Sequence, residues 1–171
     1  GIPLRHVAGA LLVPGEHGLV GYRMLLGGEV MNVLRWAVGT QQVRRSQPPS
    51  SVQPFEPFLG QQVPVVAQGE LQESGFSEAH LRGSDPVGWR SPSSIAVEAA
   101  AQVRAGERFV YCYYNGVDKI AHERGFGDFY DAELRFADSL VADLIATVPA
   151  GTAVLVTADH GQVHVGERIV H

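Results

Sequence analysis

Two short apolar runs rich in β-formers, Phe109 to Tyr114 and Ala153 to Thr157, limit what this chain can fold into, because a long helical pattern lies between them. Strands joined by a crossover of that length pair in parallel. Runs that are continuously apolar, with no alternation, suit strands covered on both faces. Val63 to Ala67 adds a third such run. Ser91-Pro92 predicts a helix start, with Pro92 at the first helical position, where its missing N–H is harmless; that helix should run to about Ala105 and stop at Gly106. Ser77 is read as the cap of a short helix ending near Leu81. Over 130–147, Leu134, Ala137, Val141, Leu144, Ile145 and Val148 recur at helical spacing and should face the sheet, with Pro149 and Gly151 ending the helix. The expected fold is therefore α/β, a three-layer α/β/α arrangement around a mostly parallel sheet.

The remaining segments are read more coarsely, within one domain spanning 1–171. Residues 1–36 mix apolar positions with glycine. Residues 40–62 are rich in Gln, Ser and Pro and read as a polar surface excursion. Asn115 to Phe129 reads as a polar loop. Trp36, Trp89 and the single cysteine, Cys112, read as packing residues, Arg44-Arg45 as a solvated pair, and His80 as exposed.

The chain has 171 residues, 45% hydrophobic and 18% charged, with a formal net charge of −5. That balance argues against binding a nucleic-acid polymer or an anionic membrane surface. A small phosphorylated substrate is compatible with it, since a bound cation outweighs the chain's own charge locally. No stretch approaches the ~18 apolar residues that span a bilayer. Gly1-Ile2-Pro3-Leu4-Arg5-His6 does not have the form of a signal peptide. The expectation is a cytoplasmic chain; the oligomeric state is not legible.

Polar residues collect directly after the two defining runs. Asn115-Gly116-Val117-Asp118-Lys119-Ile120-Ala121-His122 follows the first, and Asp159-His160-Gly161 follows the second. In parallel α/β sheets, sites form beyond the carboxyl ends of the strands, so both clusters should share one rim. Asp118 and His122 are four apart and share a face on a helical turn. Carboxylate with imidazole suits zinc, and tolerates manganese or iron. Asp159 and His160, being adjacent, can point to different metals, and two metals about 4 Å apart can clamp a phosphoryl group. Taken singly, each motif has a plain reading, an ion pair or a capping turn.

Thr157-Ala158-Asp159-His160-Gly161 resembles the Asp-His-Gly signature of the alkaline phosphatase superfamily. Tyr114 to Gly125 resembles the Asp-x-x-x-His segment of its type I phosphodiesterase and nucleotide pyrophosphatase branch, and Pro14 to Tyr22 resembles the His-Gly segment downstream of that branch's nucleophile. The resemblance implies a hydrolase of phosphodiester, pyrophosphate or phosphomonoester bonds acting on a small phosphorylated substrate such as a nucleotide. It implies two divalent metal ions, zinc first and manganese second, with Asp118 and His122 on one and Asp159 and His160 on the other. His17 is implied to be structural. Tyr22 stands where relatives place a phosphate-contacting Asn, which makes it a candidate substrate contact. The nucleophilic Thr or Ser is implied near or before Gly1, so no catalytic nucleophile is assigned within the chain, and the chain reads as the central part of a larger site. The alternatives are an inactive metal-binding chain, a sulfatase- or phosphomutase-type relative, and a structural α/β domain.

Overall fold

The structure, a computed structural model, describes residues 17–19, 21–158 and 160–164. Gly27 and Gly28 both have positive φ, 59° and 86°, the backbone needed for a two-residue hairpin turn that matches strand twist. They join β1 (Arg23–Leu26) to β2 (Glu29–Asn32), and β3 (Ala37–Val38) and β4 (Gln41–Gln42) extend the antiparallel meander. Met31, Val33, Trp36 and Val43 are buried behind it with Leu19 and Ala79. Trp36 takes φ 51°, and its indole N–H donates to the carbonyl of Gln47 at 2.7 Å.

The Gln/Ser/Pro-rich stretch is tied down more firmly than a free excursion. It contains β4, a helical turn α1 (Pro49–Val52) and a 3-10 turn (Pro57–Gly60). Gln53 is fully buried, and its amide donates to the carbonyl of Ala79 at 3.0 Å while its oxygen accepts from the N–H of Phe55. Arg44 is engaged as well, paired with Glu78 and donating to the carbonyl of Glu73.

The short helix α2 (Gly75–Leu81) starts three residues earlier than the sequence suggested. Ser74 is its cap, accepting from the N–H of Ser77 at 3.0 Å. His80 is buried, contrary to expectation. The helix turns this face inward, where the imidazole Nδ1–H donates to the carbonyl of Phe76 at 2.8 Å and the ring lies 4.1 Å from that of Phe76.

The second sheet is parallel, with β5 (Pro64–Gln68) central, β6 (Asp85–Trp89) on one side and β7 (Tyr111–Cys112) on the other. Val66 faces Val87 and Cys112 in register. Ser91-Pro92 opens a 3-10 turn (Pro92–Ser94) that runs into α3 (Ile95–Arg104), and Gly106, at φ 103°, follows its end. Val66, Trp89 and Ile95 form the core here, with Tyr114 and Leu140 packed against it.

Four expectations for the remaining segments change. Asn115 to Phe129 is largely helical, as α4 (Gly116–Arg124), followed by α5 (Asp128–Thr147). Along α5, Ala137, Val141, Leu144 and Val148 are half-buried, whereas Leu134 and Ile145 are exposed. Within 109–114 only Tyr111–Cys112 pairs, on one edge, and Cys112 is half-buried. Residues 153–157 form no described strand, with Leu155 90% exposed. A continuous apolar run is covered only when neighbours close both faces and both edges, and among the described residues the parallel sheet has three strands, none of them paired with this run. Among the described residues, no helix is long and apolar enough to cross a membrane.

Candidate functional site

The carboxyl rim of the parallel sheet is where the polar residues meet. β7 leads through Tyr113 and Tyr114 into α4. Asn115, at the helix N-cap position, makes no side-chain cap. Its amide reaches sideways and donates to Gln68 Oε1, at the end of β5, at 3.1 Å. That bond ties the start of α4 to the sheet. Asp118 then falls in the first turn, where the helix dipole favours a carboxylate, and His122 follows one turn later on the same face.

Asp118 is the hub of the cluster. Its Oδ1 lies 3.4 Å from His122 Nε2 and 3.6 Å from His160 Nε2. It also accepts from Gln162 Nε2 at 3.3 Å. Two of the four residues expected at the rim therefore converge with Asp118, and the fourth, Asp159, lies outside the described residues. Tyr22 packs against the meander core, and its carbonyl accepts from the N–H of Val33. His17 is buried in the same lobe, its Nδ1 accepting from the N–H of Leu19 at 3.2 Å.

The tautomer of His160 follows from its contacts. Nδ1 meets the carbonyl of Gly161 at 2.9 Å, and a carbonyl can only accept, so Nδ1 carries the proton. In the neutral ring Nε2 is then the unprotonated nitrogen, and it faces Asp118 Oδ1 at 3.6 Å. Hydrogen bonding of one imidazole nitrogen to a backbone carbonyl is how metal-ligating histidines are commonly oriented. The His122 side chain is 66% exposed, and surface pairs of this kind contribute roughly 0–1 kcal/mol. Among the described residues, no group of three or more His, Cys, Asp or Glu side chains is placed to hold a metal ion.

Sequence reading missed several groups here. Gln162 carried no signal beyond standing next to Asp-His-Gly. The Asn115–Gln68 bond joins residues from separate strand ends, and Tyr114 donates to Glu133 on α5. A cleft of about 410 Å³ opens elsewhere, by Arg44, Glu78 and Arg82. Arg44 is already answered there by Glu78, and the cleft has no share in the Asp118 cluster.

The model of the type I phosphodiesterase / nucleotide pyrophosphatase family matches residues 33–171, and the chain belongs to that family. The match includes the two clusters and α4, and it excludes His17 and Tyr22. No curated protein and no solved structure matches the chain. The family consists of phosphodiesterase and nucleotide pyrophosphatase hydrolases, which act on small phosphorylated substrates with divalent metals.

Proposed function

We propose that this chain supplies the metal-holding half of a phosphodiester or pyrophosphate hydrolase site whose substrate is a small phosphorylated molecule, a nucleotide foremost. Asp118 and His122 hold one divalent cation; Asp159 and His160 hold a second. Zinc fits the mixed carboxylate and imidazole donors best, with manganese next. The observation that carries this reading is the approach of two imidazole Nε2 atoms to one carboxylate oxygen, at 3.4 and 3.6 Å, beside the carboxyl ends of parallel strands. The full domain is read as a three-layer α/β/α unit around that sheet.

Bound cations would polarise phosphoryl oxygens and offset the charge that builds on them. The protein's part is orientation. Asp118 supplies negative charge from a fixed helical turn, the Gly161 carbonyl holds the His160 ring with Nε2 forward, and Gln162 restrains the Asp118 carboxylate. The group that attacks phosphorus is assigned to no residue of this chain. The test is calorimetric titration of adenosine monophosphate into the protein with and without zinc. Binding that needs zinc and disappears in Asp118→Ala supports the proposal. Binding that is indifferent to chelation and to Asp118→Ala contradicts it.

A further inference from the structure

α4 carries two of the proposed ligands, yet none of its nine residues is buried. Its N-cap side chain points away to Gln68, and its far end runs out through Gly125 and Gly127, both at positive φ. Burial of its own residues therefore does little to fix where Asp118 sits. The fixing contacts lie at the start of the helix.

There, the Tyr114 hydroxyl donates to Glu133 Oε1, across from the end of β7 to the second turn of α5. The bond crosses directly over Gly116, the first residue of α4, and a Cβ at Gly116 would overlap both the Tyr114 hydroxyl and Glu133 Oε1. Glycine at this position thus lets the phenol–carboxylate bond lie against the helix backbone, two residues before Asp118. The Tyr114 ring is held in turn, 5.7 Å from Phe136 of α5 and 6.3 Å from Trp89 of β6. Strand end, helix start and the neighbouring helix meet at one hydrogen bond. Burial, then the bond to Glu133 and its charge, hold the phenol above its ordinary range, so it remains a donor into the alkaline range as well as at neutral pH.

We propose that Tyr114 and Glu133, with Gly116 beneath their bond, are a positioning latch that sets the place of Asp118 and His122 for metal binding. The latch rests on the metal reading given above. Neither residue is among the proposed metal ligands. Removing the bond leaves the packing of the Tyr114 ring in place and frees the first turn of α4 to shift, and metal sites lose affinity when a supporting group is lost, typically about 10–100-fold.

The experiment is a cobalt(II) titration followed by ligand-field absorption, on wild type, Tyr114→Phe, Glu133→Gln and Glu133→Ala, with helical circular dichroism and thermal unfolding recorded on each. The latch predicts that Tyr114→Phe and Glu133→Ala weaken cobalt binding about tenfold or more while helicity and the unfolding midpoint stay close to wild type. Glu133→Gln, which still accepts from the phenol, should recover most of the affinity. Wild-type cobalt affinity in Tyr114→Phe overturns the latch and leaves the metal reading standing. Affinity lost only in step with helicity overturns the latch in favour of a purely structural bond. A wild type that takes up no cobalt overturns the metal reading itself, and the latch with it.

Discussion

Asp118 and His160 lie on segments well separated in sequence, yet Oδ1 of one stands 3.6 Å from Nε2 of the other. The Gly161 carbonyl fixes which imidazole nitrogen faces the carboxylate, and Gln162 holds the carboxylate from the same segment. A ligand contributes charge and geometry, whereas a restraining amide contributes geometry alone. His160→Ala should therefore weaken zinc binding more than Gln162→Ala, for which a loss of about tenfold is expected. Competition titration with a zinc indicator ranks the two; the reverse order would contradict the assigned roles.

The meander makes a separate prediction. Gly75 begins α2 directly against Trp36, and a Cβ there would come within 2.6 Å of that buried side chain. Trp36 is held by its bond to Gln47 and cannot swing aside without losing it. Overfilling a packed core costs about 1–3 kcal/mol, so Gly75→Ala should lower the urea midpoint accordingly with an unchanged slope. A midpoint equal to wild type would mean that Trp36 is not fixed there.

Burial pushes the Cys112 thiol up from near 9 to about 11. Only the thiolate is nucleophilic, so at pH 8 alkylation by iodoacetamide should be on the order of a hundredfold slower than for a small free thiol. The same shift sets a direction for stability. The folded state keeps its proton where the unfolded chain loses it, so the contribution is complete below about pH 9 and is lost as pH rises through about 11. Cys112→Ala should flatten that alkaline decline. An equally steep decline without the thiol would assign it to other groups.

Much of the architecture was legible because it rests on local chemistry. Ser91-Pro92 and Gly106 bracketed the third helix, and the Val63 to Ala67 run marked the central strand within one residue. The helical spacing of Asp118 and His122 was visible too, although the surrounding polarity made 115–129 read as a loop. Polar residues at a sheet rim form a helix with no buried face, and periodicity gives no warning of that. His80 shows the converse: which side of a short helix meets the meander is set by tertiary packing. Apolar content alone also overstated the 153–157 run, since pairing needs a partner edge as well as a suitable sequence. Of the candidate site, both motifs could be read, but the groups restraining them, Asn115 on Gln68 and Tyr114 on Glu133, depend on contacts between distant segments.

The central claim is that Asp118, His122, Asp159 and His160 hold divalent metal, and elemental analysis after equilibration with zinc and dialysis tests it most directly. Wild type should be compared with the variant in which all four are alanine, with folding of both checked by circular dichroism. The account predicts zinc retained by wild type and none above background in the quadruple variant. Equal zinc in the two proteins would contradict it.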